Sequence, residues 1–108
     1  MSMPQDVTLV YETVRQAILD RRSLNAVYDT CIRYFSPHIL GKDFEGRDCV
    51  VAFQYAGKHP GGLPIGGLWC CFRIDGLHWL RANGDRWLTG SLDKMPDCVR
   101  DIAVSGLG

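Results

Sequence analysis

The length, composition and charge of this chain exclude several classes of protein. It has 108 residues, of which 12 are basic and 12 acidic, so the formal net charge is zero. This length suits one domain with one core, and the scattered basic residues give no broad surface for nucleic acid. No run approaches the ~18 apolar residues that a membrane span needs, and residues 1–6 lack the pattern of a signal peptide. We therefore expect residues 1–108 to form a single domain with no membrane partner.

The N-terminal segment predicts one amphipathic helix over about residues 7–22. Either Asp6 or Thr8 can cap its first turn, and the basic pair Arg21-Arg22 suits the negative end of the helix dipole. Apolar residues recur at helical spacing, at Val7, Val10, Val14, Ala17 and Ile18. Because the opposite side of the helix is polar, this apolar stripe must rest on a sheet or seal a dimer.

The centre of the chain has the pattern of short antiparallel strands. Alternating apolar residues, rich in β-branched and aromatic types, predict five of them. They cover residues 24–29, 31–39, 48–56, 68–74 and 77–81. The glycine-rich stretch 57–67 is typical of a surface loop, and Asn83-Gly84-Asp85 predicts a hairpin turn into a further strand at Trp87-Leu88.

Residues 91–108 are predicted to be a tail or a short helix, with Pro96 in its first turn and Gly106 beyond its end. One helix followed by five or six strands, without βαβ alternation, favours a mainly β (α+β) domain. The expected architecture is a small Sm-like or SH3-like antiparallel β-barrel over about residues 24–90, preceded by the N-terminal helix.

The cysteines give no sign of a metal site or of catalysis. They are Cys31, Cys49, Cys70, Cys71 and Cys98, an odd number without a C-x-x-C pair. We expect reduced, buried thiols in a cytoplasmic protein. No local motif joins a cysteine to a histidine base, and no pair of carboxylates has a spacing suited to acid and base catalysis. The chain is therefore predicted to be neither an enzyme nor a cofactor-binding protein.

Spaced positions over about residues 16–90 resemble a WYL domain, the small Sm-like barrel of bacterial transcription regulators and defence-associated proteins. The matching positions are Ala17-Ile18, Arg21-Arg22, Leu24 to Tyr28, Arg33, Pro37 to Gly41, Gly46, Val50 to Tyr55, Trp69, Phe72 to Asp75 and Leu77. The Trp-Tyr-Leu tripeptide of the family is absent near Asp48-Cys49-Val50, and Gly76 stands where members usually carry an arginine.

This resemblance implies a ligand-sensing domain that recognises a nucleotide or a short single-stranded nucleic acid. Carried over by position, the ligand-binding residues would be Arg33 and Arg73, with Tyr28 and His38 beside them. A guanidinium group offers a planar fork for phosphate, and an aromatic ring offers a surface for base stacking. We expect the two arginines to point into one shared hollow of the barrel.

Two alternatives stay open at this point. Arg33 could pair with Asp29 or Asp48 across a strand, and Arg73 with Asp75, in surface ion pairs of little energetic value. The competing function is a protein–protein interaction module, which binds a second copy of itself or another protein through its helix or an exposed strand. The neutral net charge favours this module.

Overall fold

One helix and six strands form the part of the chain that the structure, a computed structural model, describes, residues 6–107. The helix α1 spans Val7–Asp20. The strands are β1 (Leu24–Tyr28), β2 (Cys31–Lys42), β3 (Asp48–Gly57), β4 (Leu68–Arg73), β5 (His78–Ala82) and β6 (Asp101–Ser105). The predicted mainly β, α+β class and the five central strands are confirmed. No helix within residues 6–107 is long and apolar enough to cross a membrane.

Helix α1 begins and ends where its local chemistry requires. The side chain of Asp6 accepts hydrogen bonds from the backbone N–H groups of Thr8 (3.0 Å) and Leu9 (3.3 Å), so Asp6 is the N-cap. At the other end Arg21 adopts a left-handed conformation, with φ +52°, and its N–H bonds back to the carbonyl of Ile18. The predicted apolar stripe is buried at Val10, Val14, Ala17 and Ile18, whereas Val7 in the first turn is exposed.

The sheet is antiparallel, in the order β4-β3-β2-β1-β5, and the long strand β2 is its centre. One edge of β2 pairs with β3, while the other edge pairs first with β1 and then, over Ile39–Lys42, with β6. The predicted β2 ended at Ile39, but the strand continues to Lys42. Gly41 makes this possible, since a Cβ there would lie 2.1 Å from the carbonyl oxygen of Asp101 in β6.

The C-terminal predictions were wrong in two places. A helix was expected after Pro96, but Asp101–Ser105 is a strand, because it satisfies the open backbone edge of β2 and contains the β-branched Ile102 and Val104. A strand was expected at Trp87-Leu88, but residues 83–91 are irregular. Their polar groups bond instead to side chains and carbonyls of the sheet, as the Leu88 N–H does to Ser36 Oγ (2.9 Å).

The two sides of the sheet are covered differently, and we call them the helix face and the strap face. Helix α1 covers the helix face, where Phe35, Leu40, Val50 and Phe72 belong to the larger buried cluster. Residues 83–100, which we call the strap, cross the other side. There they pack on a smaller buried cluster of Ile39, Val51, Phe53 and Trp69. The alternation predicted for β4 is confirmed, since its neighbouring residues point to opposite faces.

A disulfide joins Cys71 of β4 to Cys98 of the strap. The expectation of five reduced thiols was therefore wrong for this pair, whereas Cys49 and Cys70 are buried free thiols as predicted and Cys31 is free but partly exposed. Sequence spacing does not reveal the bond, because the two cysteines meet only after β4 and the strap have packed together.

Candidate functional site

The guanidinium group of Arg33 lies inside the molecule on the helix face, and the residue is 2% exposed. Its Nη1 donates to Gln54 Oε1 and its Nη2 to the carbonyl oxygen of Tyr28, both at 3.1 Å. The rings of Tyr28 and Phe72 lie 5.6 and 5.5 Å from its central carbon. Within residues 6–107 Arg33 has no ion pair, and its Nε has no hydrogen-bond partner. Its charge is thus held by amide oxygen, carbonyl oxygen and aromatic rings alone.

Gln54 orients this arrangement. Its Nε2 donates to the carbonyl oxygens of Ala56 (3.1 Å) and Lys58 (2.8 Å), which leaves Oε1 directed at Arg33. The thiol of Cys70 also lies 3.7 Å from Oε1. Because a buried charge is costly without compensation, the fixed amide is part of what keeps Arg33 in the core.

Tyr28 contacts Arg33 but separates it from Arg73. The Tyr28 hydroxyl accepts a hydrogen bond from the backbone N–H of Arg73 (3.2 Å). The side chain of Arg73 is exposed and binds Asp75 (2.7 Å), the surface pair considered from the sequence. Since Phe72 points to the helix face, its neighbour Arg73 points to the strap face. The expected shared hollow is therefore not formed, because the two guanidinium groups lie on opposite sides of the sheet.

His38 is fully buried on the strap face. Its Nδ1 donates to the carbonyl oxygen of Ser36 (2.7 Å), and its Nε2 contacts Thr89 Oγ1 (2.8 Å) of the strap. The ring stacks on Trp87 at 4.1 Å and meets Trp69 edge-on at 4.9 Å. Burial lowers the pKa of His38, and the bond to Ser36 opposes this in part. His38 is thus a contact between sheet and strap rather than an exposed neighbour of Arg33.

A surface that the sequence did not single out lies between α1 and β5. Trp79 is 72% exposed and Leu9 beside it is 65% exposed, and together they line a groove of about 240 Å³. A second groove of about 420 Å³ continues along α1 past Ala82. We define the α1–β5 surface as Leu9, Thr13, Gln16, Trp79, Leu80 and Ala82.

The exposure of Trp79 follows from an irregularity in β5. Asn25 pairs with Arg81 and Val27 with His78, so the single residue Ala26 faces two residues of β5. This bulge places Trp79 at φ +56° and turns its ring outward. No signal in the sequence marks this bulge.

Charge and backbone also distinguish this surface. In the described sheet β5 pairs only with β1, so its other edge has backbone groups without a strand partner. The exposed residues of α1 nearby include Glu12 and Asp20, whereas β5 exposes His78 and Arg81. The α1–β5 surface therefore has an apolar centre, with Asp20 and Arg22 exposed at the end of α1 and Arg81 exposed on β5.

Within residues 6–107 no three histidine, cysteine or carboxylate side chains lie close enough together to hold a metal ion. Comparisons of the chain with protein-family models, with curated proteins and with solved structures find no match.

Proposed function

We propose that this chain is a non-catalytic, WYL-like binding domain that pairs with a second copy of itself through the α1–β5 surface. The observation that carries the proposal is Trp79, a tryptophan held outward in a left-handed conformation beside the exposed Leu9. Strained and exposed aromatic residues concentrate at functional surfaces, and tryptophan is among the residues that most often dominate binding energy.

A second copy is the partner that the charges favour. In a two-fold dimer the same surface meets itself, so it must contain groups that complement one another. Here Asp20, at the end of α1, would face Arg81 on β5 of the other copy. The free edge of β5 would supply backbone groups for pairing with the same strand of the second copy.

Curling of the sheet into a barrel that stays open between β4 and β5 is part of this proposal. Strand β1 pairs with β2 on one edge and with β5 on the other, and only Ile74–Leu77 separate β4 from β5. This path supports a meander that bends back on its first strand, as in small antiparallel barrels. A barrel open at this point would leave α1 and the free edge of β5 available to a partner.

Sedimentation velocity over a range of protein concentrations tests the dimer. Trp79→Ala should weaken association by at least about 30-fold, the effect of losing ~2 kcal/mol at the centre of an interface. Ile65→Ala, at an exposed apolar residue of the 57–67 loop, is the matched control and should associate like the parent chain. A parent chain that stays monomeric, or a Trp79→Ala chain that associates equally well, would contradict the proposal.

A charge exchange tests the choice of partner. Arg81→Glu and Asp20→Lys should each weaken self-association, because each gives the two meeting sides the same sign. Mixed together, the two variants should form a heterodimer, in which both contacts again join opposite charges. Failure of the mixture to associate would point to a different protein as the partner.

A second candidate function rests on Arg33, the buried guanidinium without an ion pair in the described chain. Its positive charge, which no carboxylate neutralises in the described chain, supports binding of a phosphate-bearing ligand, a nucleotide or a short single strand. Thermal shifts with ATP, inorganic phosphate and oligo-dT at low salt test this. The ligand should stabilise the parent and the Arg73→Ala control but not Arg33→Gln. Equal shifts in all three, or none, would exclude this site.

A further inference from the structure

The second half of the strap, residues 92–99, is bounded by two hydrogen-bonded positions. Just before it, the indole N–H of Trp69 donates to the carbonyl oxygen of Ser91 (2.8 Å). Just after it, the N–H of Arg100 donates to the carbonyl oxygen of Lys42 (2.8 Å). Both positions tie the strap to the sheet without using the disulfide.

Between those positions the segment is held mainly by the Cys71–Cys98 bond. Its described backbone hydrogen bonds are internal, from Lys94 to Ser91 and from Met95 to Leu92. Its single polar contact with the sheet within residues 6–107 is the thiol of Cys49, 4.0 Å from the carbonyl oxygen of Cys98. Met95, Cys98 and Val99 add apolar contacts, although each is only half-buried.

The disulfide is accessible while the groups beneath the segment are not. Cys71 is exposed in β4. Cys49 and Val51, on the same face of neighbouring β3, are 3% and 1% exposed. A thiol in solution can therefore reach the disulfide, whereas it cannot reach Cys49 in the closed molecule.

We propose that the Cys71–Cys98 disulfide is a redox-controlled cross-link. Its reduction by a dithiol releases residues 92–99 and exposes Cys49 and the apolar side chain of Val51. A thiolate of the dithiol attacks one sulfur and forms a mixed disulfide, and the other cysteine leaves as a thiolate that takes up a proton. The second thiol of the reductant then displaces the remaining cysteine. The protein gains two thiols, and the reductant becomes a cyclic disulfide, having given two electrons and two protons.

Release follows from the balance of forces on the segment. Ordering eight residues of irregular chain costs conformational entropy. Without the covalent bond, only the burial of three half-buried side chains offsets that cost. The hydrogen bonds at Ser91 and Arg100 limit the opening to the residues between them. The buried cluster of the helix face includes no residue of this segment, so it should stay packed.

Pulse alkylation with iodoacetamide, read by peptide mass spectrometry, tests the proposal on the parent chain. In the oxidised protein both Cys49 and Cys70 should be protected, because both are buried. After reduction with dithiothreitol, the alkylation rate of Cys49 should rise by at least about tenfold. Cys70, buried on the helix face, should stay protected and is the control for an intact fold.

The variant Cys71→Ser/Cys98→Ser provides a second route to the same result. It removes both sulfurs of the bond, so Cys49 should react at the faster rate without any reductant. Cys49 protected after both Cys71 and Cys98 have been alkylated would overturn the proposal. Simultaneous exposure of Cys49 and Cys70 would also overturn it, since the bond would then support the whole fold. Free thiols at Cys71 and Cys98 in the air-oxidised protein would likewise overturn the proposal.

Discussion

The two faces of the sheet are covered by different kinds of structure. On the helix face a regular helix satisfies its own backbone hydrogen bonds and contributes buried side chains to a continuous apolar cluster. On the strap face an irregular segment depends on the sheet for hydrogen bonds and on one disulfide. An irregular segment whose hydrogen bonds are made to the sheet opens more readily than a helix whose backbone hydrogen bonds are internal. The molecule therefore combines a stable layer with a layer that can be released.

The largest expected effect is on the core of the helix face. Phe35→Ala should lower the free energy of unfolding by about 3–5 kcal/mol, because it leaves a cavity among fully buried neighbours. Met95→Ala, the same kind of truncation in the half-buried strap, should cost ~1 kcal/mol or less. Urea denaturation of both variants under oxidising conditions measures the difference. Similar costs would mean that the two layers are equally important for stability.

A smaller effect is expected at the polar group of the helix face. Arg33→Met should destabilise the fold by about 1–3 kcal/mol, because it removes the guanidinium donor from the Tyr28 carbonyl and leaves Gln54 Oε1 with only the weak Cys70 thiol. The double variant Arg33→Met/Gln54→Met should lose less stability than the sum of the losses in the two single variants. The reason is that the double variant no longer contains the amide oxygen that Arg33→Met deprives of its guanidinium donor. Additive losses in denaturation experiments would show that the contact between Arg33 and Gln54 is not energetically coupled.

The smallest effect is a pH dependence that originates on the strap face. Burial lowers the pKa of His38 below its usual 6.5, so the unfolded chain binds a proton at this residue before the folded chain does. The contribution of His38 to stability should be constant above pH 6.5 and should fall as the pH drops toward the folded pKa. Thermal unfolding between pH 7.5 and about 5 should show this slope.

Two variants identify the source of that slope. His38→Gln should reduce the loss of stability on acidification, because the titrating group is absent. His78→Gln, at an exposed residue of β5, should retain the slope of the parent chain. A slope that disappears in His78→Gln instead would place the titration outside the strap face.

Periodic elements could be predicted from the sequence, and contacts that depend on packing could not. The spacing of Val10, Val14 and Ile18 identified α1, and the alternation of Cys70 with Cys71 and Phe72 identified β4 and the faces of its side chains. These patterns are local, so a single sequence contains them.

The rest depends on residues far apart in the chain. The strand Asp101–Ser105 forms because β2 leaves an edge open, and Cys98 bonds Cys71 because the strap crosses β4. Arg33 and Arg73 do not share one hollow as predicted. They lie in different strands, and the face to which each side chain points depends on the register of its own strand. Trp79 is exposed by a bulge for which the sequence has no marker.

Hydrogen exchange of the native protein, compared between its oxidised and reduced forms, tests most directly the claim that the two layers differ. On reduction, deuterium uptake should increase in peptides that cover residues 92–99, while peptides from α1 and from the paired β2 and β3 keep their protection. Equal loss of protection in α1 and in the strap would contradict the account, because the disulfide would then hold one cooperative structure rather than one releasable layer.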